Sequence, residues 1–375
     1  MDCGRGLALK CIADLLREIS VIPKKQQNQP FLPRHYVVGV VCYTIKMSPP
    51  PFTTHQTIYP YDLGGKLYNF HRMHSTIEAK PFLKWAGGKR QLLDQFKKRF
   101  PKELSKQGKI KYFYEPFLGS GAVFFWVAQH CAIKKAYLNE LNPEIYLCYI
   151  AIKKNVEAVI ANLKAYDSQY KSSSDKDREE LYYEVREEYN ASRTDTNFKK
   201  YNPQTSPKRV AMTIFLNRTC FNGLYRVNSK GNFNVPFGRY HSPLICDADN
   251  LRNVSKLLQT VEISNDDFSV VKKKLKEDSF VYFDPPYKPI SETAKFTAYS
   301  ADSFGDKEQE RLAKLVRQIN PKAKIMLSNS APKSNYFEKL YSGFRIEKIS
   351  ATRLINCVAE KRGKVNEILV MNYDK

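Results

Sequence analysis

One stretch limits the folds open to this chain more than any other. Phe280-Val281-Tyr282-Phe283 is a short apolar and aromatic run, and Asp284-Pro285-Pro286-Tyr287 follows it at once. The run has the length and residue types of a buried strand. Two prolines then stop it, because they cannot donate to a ladder and hold the backbone near one φ. The result is a rigid turn at the carboxyl end of a strand, where open α/β sheets place their ligands.

An acid, a fixed carbonyl and an aromatic ring meet at that turn. The trio suits an exocyclic amine on an aromatic base, a poor nucleophile whose lone pair is delocalised into the ring. Asp284 and the Pro285 carbonyl would each accept one of its N–H bonds, localising the lone pair and aiming it at an electrophile. Tyr287 would stack on the base. The competing reading is a plain strand-terminating turn with a surface tyrosine, so the other segments decide.

Upstream, Lys80-Pro81-Phe82-Leu83-Lys84-Trp85-Ala86-Gly87-Gly88-Lys89-Arg90 precedes a helical pattern from Gln91 to Phe100. The glycine pair permits close approach of backbone to a ligand. The spacing of a phosphate loop is missing, and a grip on the carboxylate of an amino-acid-like cofactor fits better. Ile110 to Tyr114 reads as a strand, Glu115-Pro116-Phe117-Leu118-Gly119-Ser120-Gly121 as a turn, and Ala122 to Gln129 as a helix. This is the start of a nucleotide-type crossover, without the third glycine. The next strand, Lys135 to Leu138, ends in Asn139-Glu140-Leu141-Asn142. An acid there, about 20 residues beyond the glycine turn, is placed to bind ribose hydroxyls. Its alternative is a surface acid capping a helix.

Ala151 to Asn190 is helical in pattern, with a polar break near Ser172-Ser173-Ser174. Further strands are expected at Val261 to Ile263, Ile325 to Ser330 and Glu367 to Asn372, with a helix from Lys307 to Ile319. Asp266-Asp267 would sit near the adenine of a cofactor or cap a helix. Strands alternating with helices imply a mostly parallel sheet.

Charge points to the partner. The chain has 61 Lys+Arg against 38 Asp+Glu, a net +23, and such an excess suits a polyanion, most simply nucleic acid. The excess is concentrated. Ser192 to Ser242 carries Arg193, Lys199, Lys200, Lys208, Arg209, Arg218, Arg226, Lys230 and Arg239 against the single acid Asp195, with aromatics interleaved. Basic residues hold phosphates, and aromatics stack or wedge between bases. Asn228-Ser229-Lys230-Gly231, between Tyr225-Arg226-Val227 and Phe233-Asn234-Val235, reads as a hairpin tip that would enter a DNA groove. A solvated basic face is the alternative.

Other classes are disfavoured. The eight cysteines are scattered without a Cys-x-x-Cys pair, which argues against a zinc site or disulfide framework and for a reducing cytosol. Four of six histidines (His35, His55, His71, His74) precede residue 80, so no metal site is expected. No stretch reaches the ~20 apolar residues of a membrane span, and the start lacks the pattern of a secretory signal. Residues 1–78 carry no motif. Ala8 to Ile19 reads as a short amphipathic helix, followed by Pro-rich and polar pieces such as Ser48-Pro49-Pro50-Pro51. Either the natural protein starts near Met73 or this is an accessory segment.

The ordered motifs KPFLKWAGGK, EPFLGSG, LNELN, NRTCFNGLYRVNSKGNFNVPFGRY, FVYFDPPY, FTAY and KVNEILVMNY resemble those of the Dam-type DNA adenine-N6 methyltransferases, over roughly residues 80–375. The resemblance implies a Rossmann-like, doubly wound, mostly parallel α/β sheet with an inserted, largely helical target-recognition domain carrying a β-hairpin. The S-adenosylmethionine-binding catalytic domain would span 79–150 and 256–375, and the recognition domain 151–255. Catalysis would fall to Asp284, Pro285, Pro286 and Tyr287. Cofactor binding would fall to Trp85, Lys89, Phe117, Gly119, Gly121, Glu140 and Asp284, although relatives often have Asp at the position of Glu140. Duplex DNA would be met by Lys84, Asn222, Leu224, Arg226, Asn228, Pro236 and Arg239. The NGLYR and NVPFGRY runs resemble members that modify adenine in GATC. A cytoplasmic, DNA-associated monomer encoded by a bacterium or phage is expected; a cognate restriction endonuclease acting on the same site and an orphan enzyme both stay open. Three rivals stand: a cytosine-N4 methyltransferase, which usually has Ser at the position of Asp284; a protein or free-amide methyltransferase, which usually has Asn there and would not need the basic segment; and a DNA-binding regulator that has lost catalysis.

Overall fold

Phe280 to Phe283 forms the middle of a seven-stranded sheet, and its residues alternate between two cores. Phe280 and Tyr282 point into one layer, while Val281 and Phe283 point into the other. Phe113 and Tyr114 split in the same way one strand over. A strand apolar on both faces is what a sheet covered by helices on both sides demands. Truncating either phenylalanine of the middle strand would cost roughly 3–5 kcal/mol in lost burial and cavity.

The computed structural model describes residues 78–85, 87–288, 304–332, 334–352 and 364–374, all within one unit spanning His71–Lys375. The FTAY run (296–299) and the helix expected over Ala8 to Ile19 lie outside the described residues. The strands are β1 (Tyr112–Glu115), β2 (Lys135–Asn139), β3 (Val261–Ser264), β4 (Ser279–Phe283), β5 (Ala323–Ser330), β6 (Arg345–Thr352) and β7 (Lys364–Met371). Their order is β3-β2-β1-β4-β5-β7-β6. The first five pair in parallel, and β7 runs antiparallel between β5 and β6. This is the Rossmann-like, doubly wound, mostly parallel sheet expected. The order reverses at β1, and sheets of this kind place their ligands beyond the carboxyl ends of the strands at such a point, here β1 and β4.

The helices are α1 (Leu93–Lys97), α2 (Ala122–His130), α3 (Pro143–Ser172), α4 (Asp175–Ala191), α5 (Ser206–Thr219), α6 (Ala248–Leu258), α7 (Val270–Lys274), α8 (Asp306–Ile319) and α9 (Tyr336–Leu340). Four of them, α3 to α6, lie in the long crossover from β2 to β3. Asn142 caps α3 by accepting from the Glu144 N–H (3.0 Å), and Pro143 suits its first turn. The helix breaks at Asn155 (φ −154°, ψ 74°). A reciprocal cap between Ser174 and Asp177 starts α4 at the polar break read from the sequence. Helix α5 packs along α3 and is buried over most of its length.

Between α5 and α6 the chain forms the expected hairpin. Val227 bridges Phe233, and the Asn228 N–H donates to the Asn232 carbonyl (2.9 Å). The Asn228 side-chain oxygen closes the turn by accepting from the N–H groups of Lys230 and Asn232, both at 3.0 Å. Helix α4 supports it from below: Asn190 donates to the Phe233 carbonyl (3.1 Å) and accepts its N–H (2.8 Å).

Three sequence expectations need correcting. The helix from Gln91 to Phe100 is a 3-10 turn over Lys89–Leu92 followed by the short α1, and no side chain caps either start. Strand β6 had no counterpart, because Arg345-Ile346-Glu347-Lys348 carries the charge that edge strands use against aggregation and so hides its pattern. Arg209, counted among the phosphate-facing basic residues, lies inside. It pairs with the buried Glu144 carboxylate, and its guanidinium also donates to the Tyr189 carbonyl (2.9 Å) and Ser192 Oγ (2.8 Å). Arg218 likewise turns inward, donating to the Phe82 carbonyl at 2.8 Å.

Candidate active site

Every candidate cofactor residue lies at a carboxyl end of the sheet or in the loop that covers it. After β1, Gly119 (φ +49°) and Gly121 (φ +69°) make the turn into α2. Neither has room for a side chain. A Cβ on Gly119 would stand 2.9 Å from the Trp85 indole, and one on Gly121 would stand 2.8 Å from the Tyr149 hydroxyl. The Tyr149 hydroxyl also donates to the Gly119 carbonyl (3.0 Å), fixing the turn from α3. Phe117 stacks on Phe268 at 5.4 Å between ring centres, on the opposite core layer.

Glu140, at the end of β2, is buried. Its two oxygens accept from backbone N–H groups, Gly119 at 2.7 Å and Asn142 at 2.8 Å. Burial pushes its carboxyl above the usual range, and those two bonds oppose the shift. Each oxygen keeps a further lone pair for a hydroxyl. Of the acidic pair, Asp267 is taken up by the Arg311 guanidinium of α8 (2.8 and 2.7 Å), which holds its carboxyl well below the usual range.

Asp284 receives two donors on one oxygen. The Lys89 ammonium stands 2.8 Å from Oδ1, and Ser328 Oγ donates to the same atom at 2.9 Å. Lys89 is only 4% exposed and also donates to the Gly87 carbonyl at 2.6 Å. Its ammonium lies 4.6 Å from the centre of the Tyr287 ring. The sequence reading of Lys89 as a cofactor grip did not include this pairing with Asp284. Among the described residues, no donor is bonded to Asp284 Oδ2 or to the Pro285 carbonyl. The Pro286 carbonyl, by contrast, accepts from Gln309 at 3.1 Å. The unpaired acceptors are thus the two that an amine would need.

Three further residues complete the site. Glu115 is buried at the end of β1 and accepts from the Phe124 N–H of α2 at 3.0 Å. Burial and the nearby Asp284 charge push its carboxyl well up. Ser328 and Glu367, on β5 and β7, bond to Asp284 and Tyr287 (2.9 and 2.6 Å). Their only sequence signal was polarity at strand positions that should be apolar.

The candidate DNA residues border this site. Asn217 of α5 is the junction. It accepts from the Lys84 N–H (2.7 Å), and it donates to the carbonyls of Lys84 (2.9 Å) and Gly223 (3.1 Å). The Lys84 ammonium lies 4.7 Å from the centre of the Tyr240 ring, whose hydroxyl accepts from the Asn222 N–H (3.1 Å). Asn222 (φ 55°) and Arg239 (φ 54°) hold left-handed backbone, uncommon without glycine. Phe221 beside them is 44% exposed. The Trp85 ring lies 5.7 Å from Tyr225. Arg226 is held across the hairpin by Asn234, through Nε (2.7 Å) and one Nη (3.0 Å). Leu224 is partly buried, and Pro236 is exposed. Arg239 is exposed and reaches toward Glu179 at 3.5 Å. Asn228 spends its oxygen on the turn, so only its amide hydrogens face outward.

No helix among the described residues is long and apolar enough to cross a membrane, and no group of metal-ligating side chains occurs among them. Sequence comparison shows the family. The chain is 48% identical over 299 residues to "Type II methyltransferase M.MjaIII" of Methanocaldococcus jannaschii, covering 79% of this chain and 100% of that protein. It is 38% identical to "Type II methyltransferase M1.LlaDCHI" of Lactococcus lactis subsp. cremoris, over 79% of this chain and 96% of the relative. It is 32% identical to a DNA adenine methylase of Haemophilus influenzae, over 79% and 94%. The model of the D12 class N6 adenine-specific DNA methyltransferases matches residues 85–355. That span takes in the Trp85 loop, both glycine turns, the hairpin and the Asp284 turn, and the chain belongs to this family.

Proposed function

We propose that the chain moves a methyl group from S-adenosylmethionine to N6 of an adenine in duplex DNA, within GATC. The observation that carries this is the split of acceptors at the β4 turn. One Asp284 oxygen is fixed by Lys89 and Ser328, while among the described residues Oδ2 and the Pro285 carbonyl have no donor.

The cradle fits such a donor. Glu140 offers lone pairs to ribose hydroxyls, the Gly119 to Gly121 turn admits close backbone approach, and Trp85 walls it. Lys89 and Asp284 supply the opposite charges that an amino-acid moiety requires. When bound, S-adenosylmethionine supplies a methyl on a sulfonium, already an electrophile. Asp284 and the Pro285 carbonyl orient the adenine amine and concentrate its lone pair. Tyr287 offers its ring to the base. An N6 amine is out of reach inside a duplex, so the adenine is flipped out of the stack. Exposed Phe221, on its left-handed turn, is shaped to fill the gap left behind.

Residues 79–150 and 256–375 form the catalytic domain in this reading, and 151–255 the recognition domain. With Nε and one Nη bonded to Asn234, the remaining N–H groups of the Arg226 guanidinium are left to read a guanine edge. Arg226→Ala is expected to cost ~1–3 kcal/mol of discrimination at one base pair. Rates on singly substituted sites measure this, and equal discrimination by both proteins would refute it.

Gly119→Ala tests the cradle. A side chain there meets both left-handed strain and the Trp85 ring, so affinity for S-adenosylmethionine should fall about tenfold or more. Calorimetry with the cofactor, and DNA binding as the unaffected control, check it.

The direct test is transfer of labelled methyl to a GATC duplex and to one with the same bases scrambled. N6-methyladenine in the GATC duplex alone would support both chemistry and site. Label in both would discard the specificity, and label on cytosine would discard the chemistry.

A further inference from the structure

Strand β5 ends in Ser328-Asn329-Ser330, and all three are buried. Three successive buried polar residues are costly unless each is bonded. Each one holds the loop that follows β4. Ser328 Oγ donates to Asp284 Oδ1 at 2.9 Å. Asn329 accepts from the Lys288 N–H at 3.3 Å and donates at 3.1 Å to Gln309, which donates in turn to the Pro286 carbonyl at 3.1 Å. Ser330 Oγ donates to the Lys288 carbonyl at 2.8 Å. Glu367 faces Ser330 across the β5–β7 ladder and completes the set: the Tyr287 hydroxyl donates to its Oε2 at 2.6 Å.

The Tyr287 bond differs from the others, because it is made at the far end of a ring. A tyrosine held only at its backbone turns about two side-chain torsions. A bond at the hydroxyl fixes both. One face of the ring is already taken by the Lys89 ammonium. The remaining face keeps a constant angle to Asp284 only while the hydroxyl is anchored.

We infer that Glu367 is a positioning residue for methyl transfer, setting the plane of the Tyr287 ring against which the target base is held. This rests on the reading of Tyr287 as the stacking face. Glu367 touches neither substrate in this account and acts through Tyr287.

The test compares full-length wild type with Glu367→Ala, Glu367→Gln, Tyr287→Phe and the double variant Tyr287→Phe/Glu367→Ala. Glu367→Ala is expected to lower kcat about 100-fold, the scale of a small misplacement at the reacting centre. KM for cofactor and DNA should stay within about threefold, as for an interaction used only in the transition state. Glu367→Gln keeps an acceptor and should restore kcat to within about fivefold of wild type. The double variant should be no slower than the slower single one, since both remove the same bond. With 2-aminopurine at the target position, the bound Glu367→Ala variant should fluoresce more strongly than wild type, because the flipped base is no longer firmly stacked. Penalties that multiply in the double variant would overturn the inference. So would a Glu367→Gln variant that melts like wild type yet is as slow as Glu367→Ala. If wild type itself leaves adenine unmethylated, the proposed function falls instead.

Discussion

Asp284→Ala is expected to reduce single-turnover methyl transfer by roughly 10²–10³-fold or more, the scale of losing a preorganised partner for developing charge. Two effects combine. The amine loses its acceptor at Oδ2, and the Lys89 ammonium, 4% exposed, loses the carboxylate 2.8 Å away. The second effect is structural, because a buried charge without its partner is expensive. Asp284→Asn separates them. The amide keeps an oxygen for Lys89 and Ser328 but not the charge, so the fold should melt above the alanine variant and below wild type. It then turns its NH₂ toward the amine, a donor where an acceptor is required. Its rate should fall nearly as far as that of the alanine variant. Single-turnover kinetics with thermal unfolding on both variants check this, and an asparagine variant within tenfold of wild type would sink the assigned role of Asp284.

Much of this site could be read in the sequence, for a physical reason. Asp284, Glu140 and the two glycines sit at strand ends, and strands declare themselves by short apolar runs closed by residues that cannot continue them. The order of such runs fixes the parallel sheet, and the sheet fixes where its carboxyl ends meet. The partners within the site were hidden for the opposite reason. Ser328 and Glu367 come from β5 and β7, distant in sequence, and only the sheet register brings them to the β4 loop. Lys89 was assigned to the crevice, yet its pairing with Asp284 depends on how the Gly87 turn (φ +78°) aims its side chain. Composition misled in one place. Counting Lys and Arg between Ser192 and Ser242 identifies a basic segment but cannot say which members face outward.

Arg209 shows why that distinction matters, and Arg209→Ala is expected to destabilise the protein by about 3–5 kcal/mol, the cost of breaking a buried ion pair from one side. Its guanidinium lies between the rings of Tyr189 (4.3 Å) and Phe198 (5.1 Å) and bonds to Glu144, whose carboxylate is equally buried. Removing Arg209 leaves that carboxylate in the core, where it must protonate or draw in water. Replacing both partners, as in Arg209→Met/Glu144→Leu, should recover most of the loss, because the desolvation of both charges disappears with them. Thermal unfolding measures the set. DNA binding then discriminates the two roles open to a basic residue here. A phosphate contact contributes about one unit to the slope of log affinity against log salt. The Arg209→Met/Glu144→Leu protein should keep the wild-type slope, whereas Lys84→Ala, changed at the junction that faces Tyr240, should flatten it. A slope reduced by the buried-pair replacement would return Arg209 to the DNA face and contradict its place in the core.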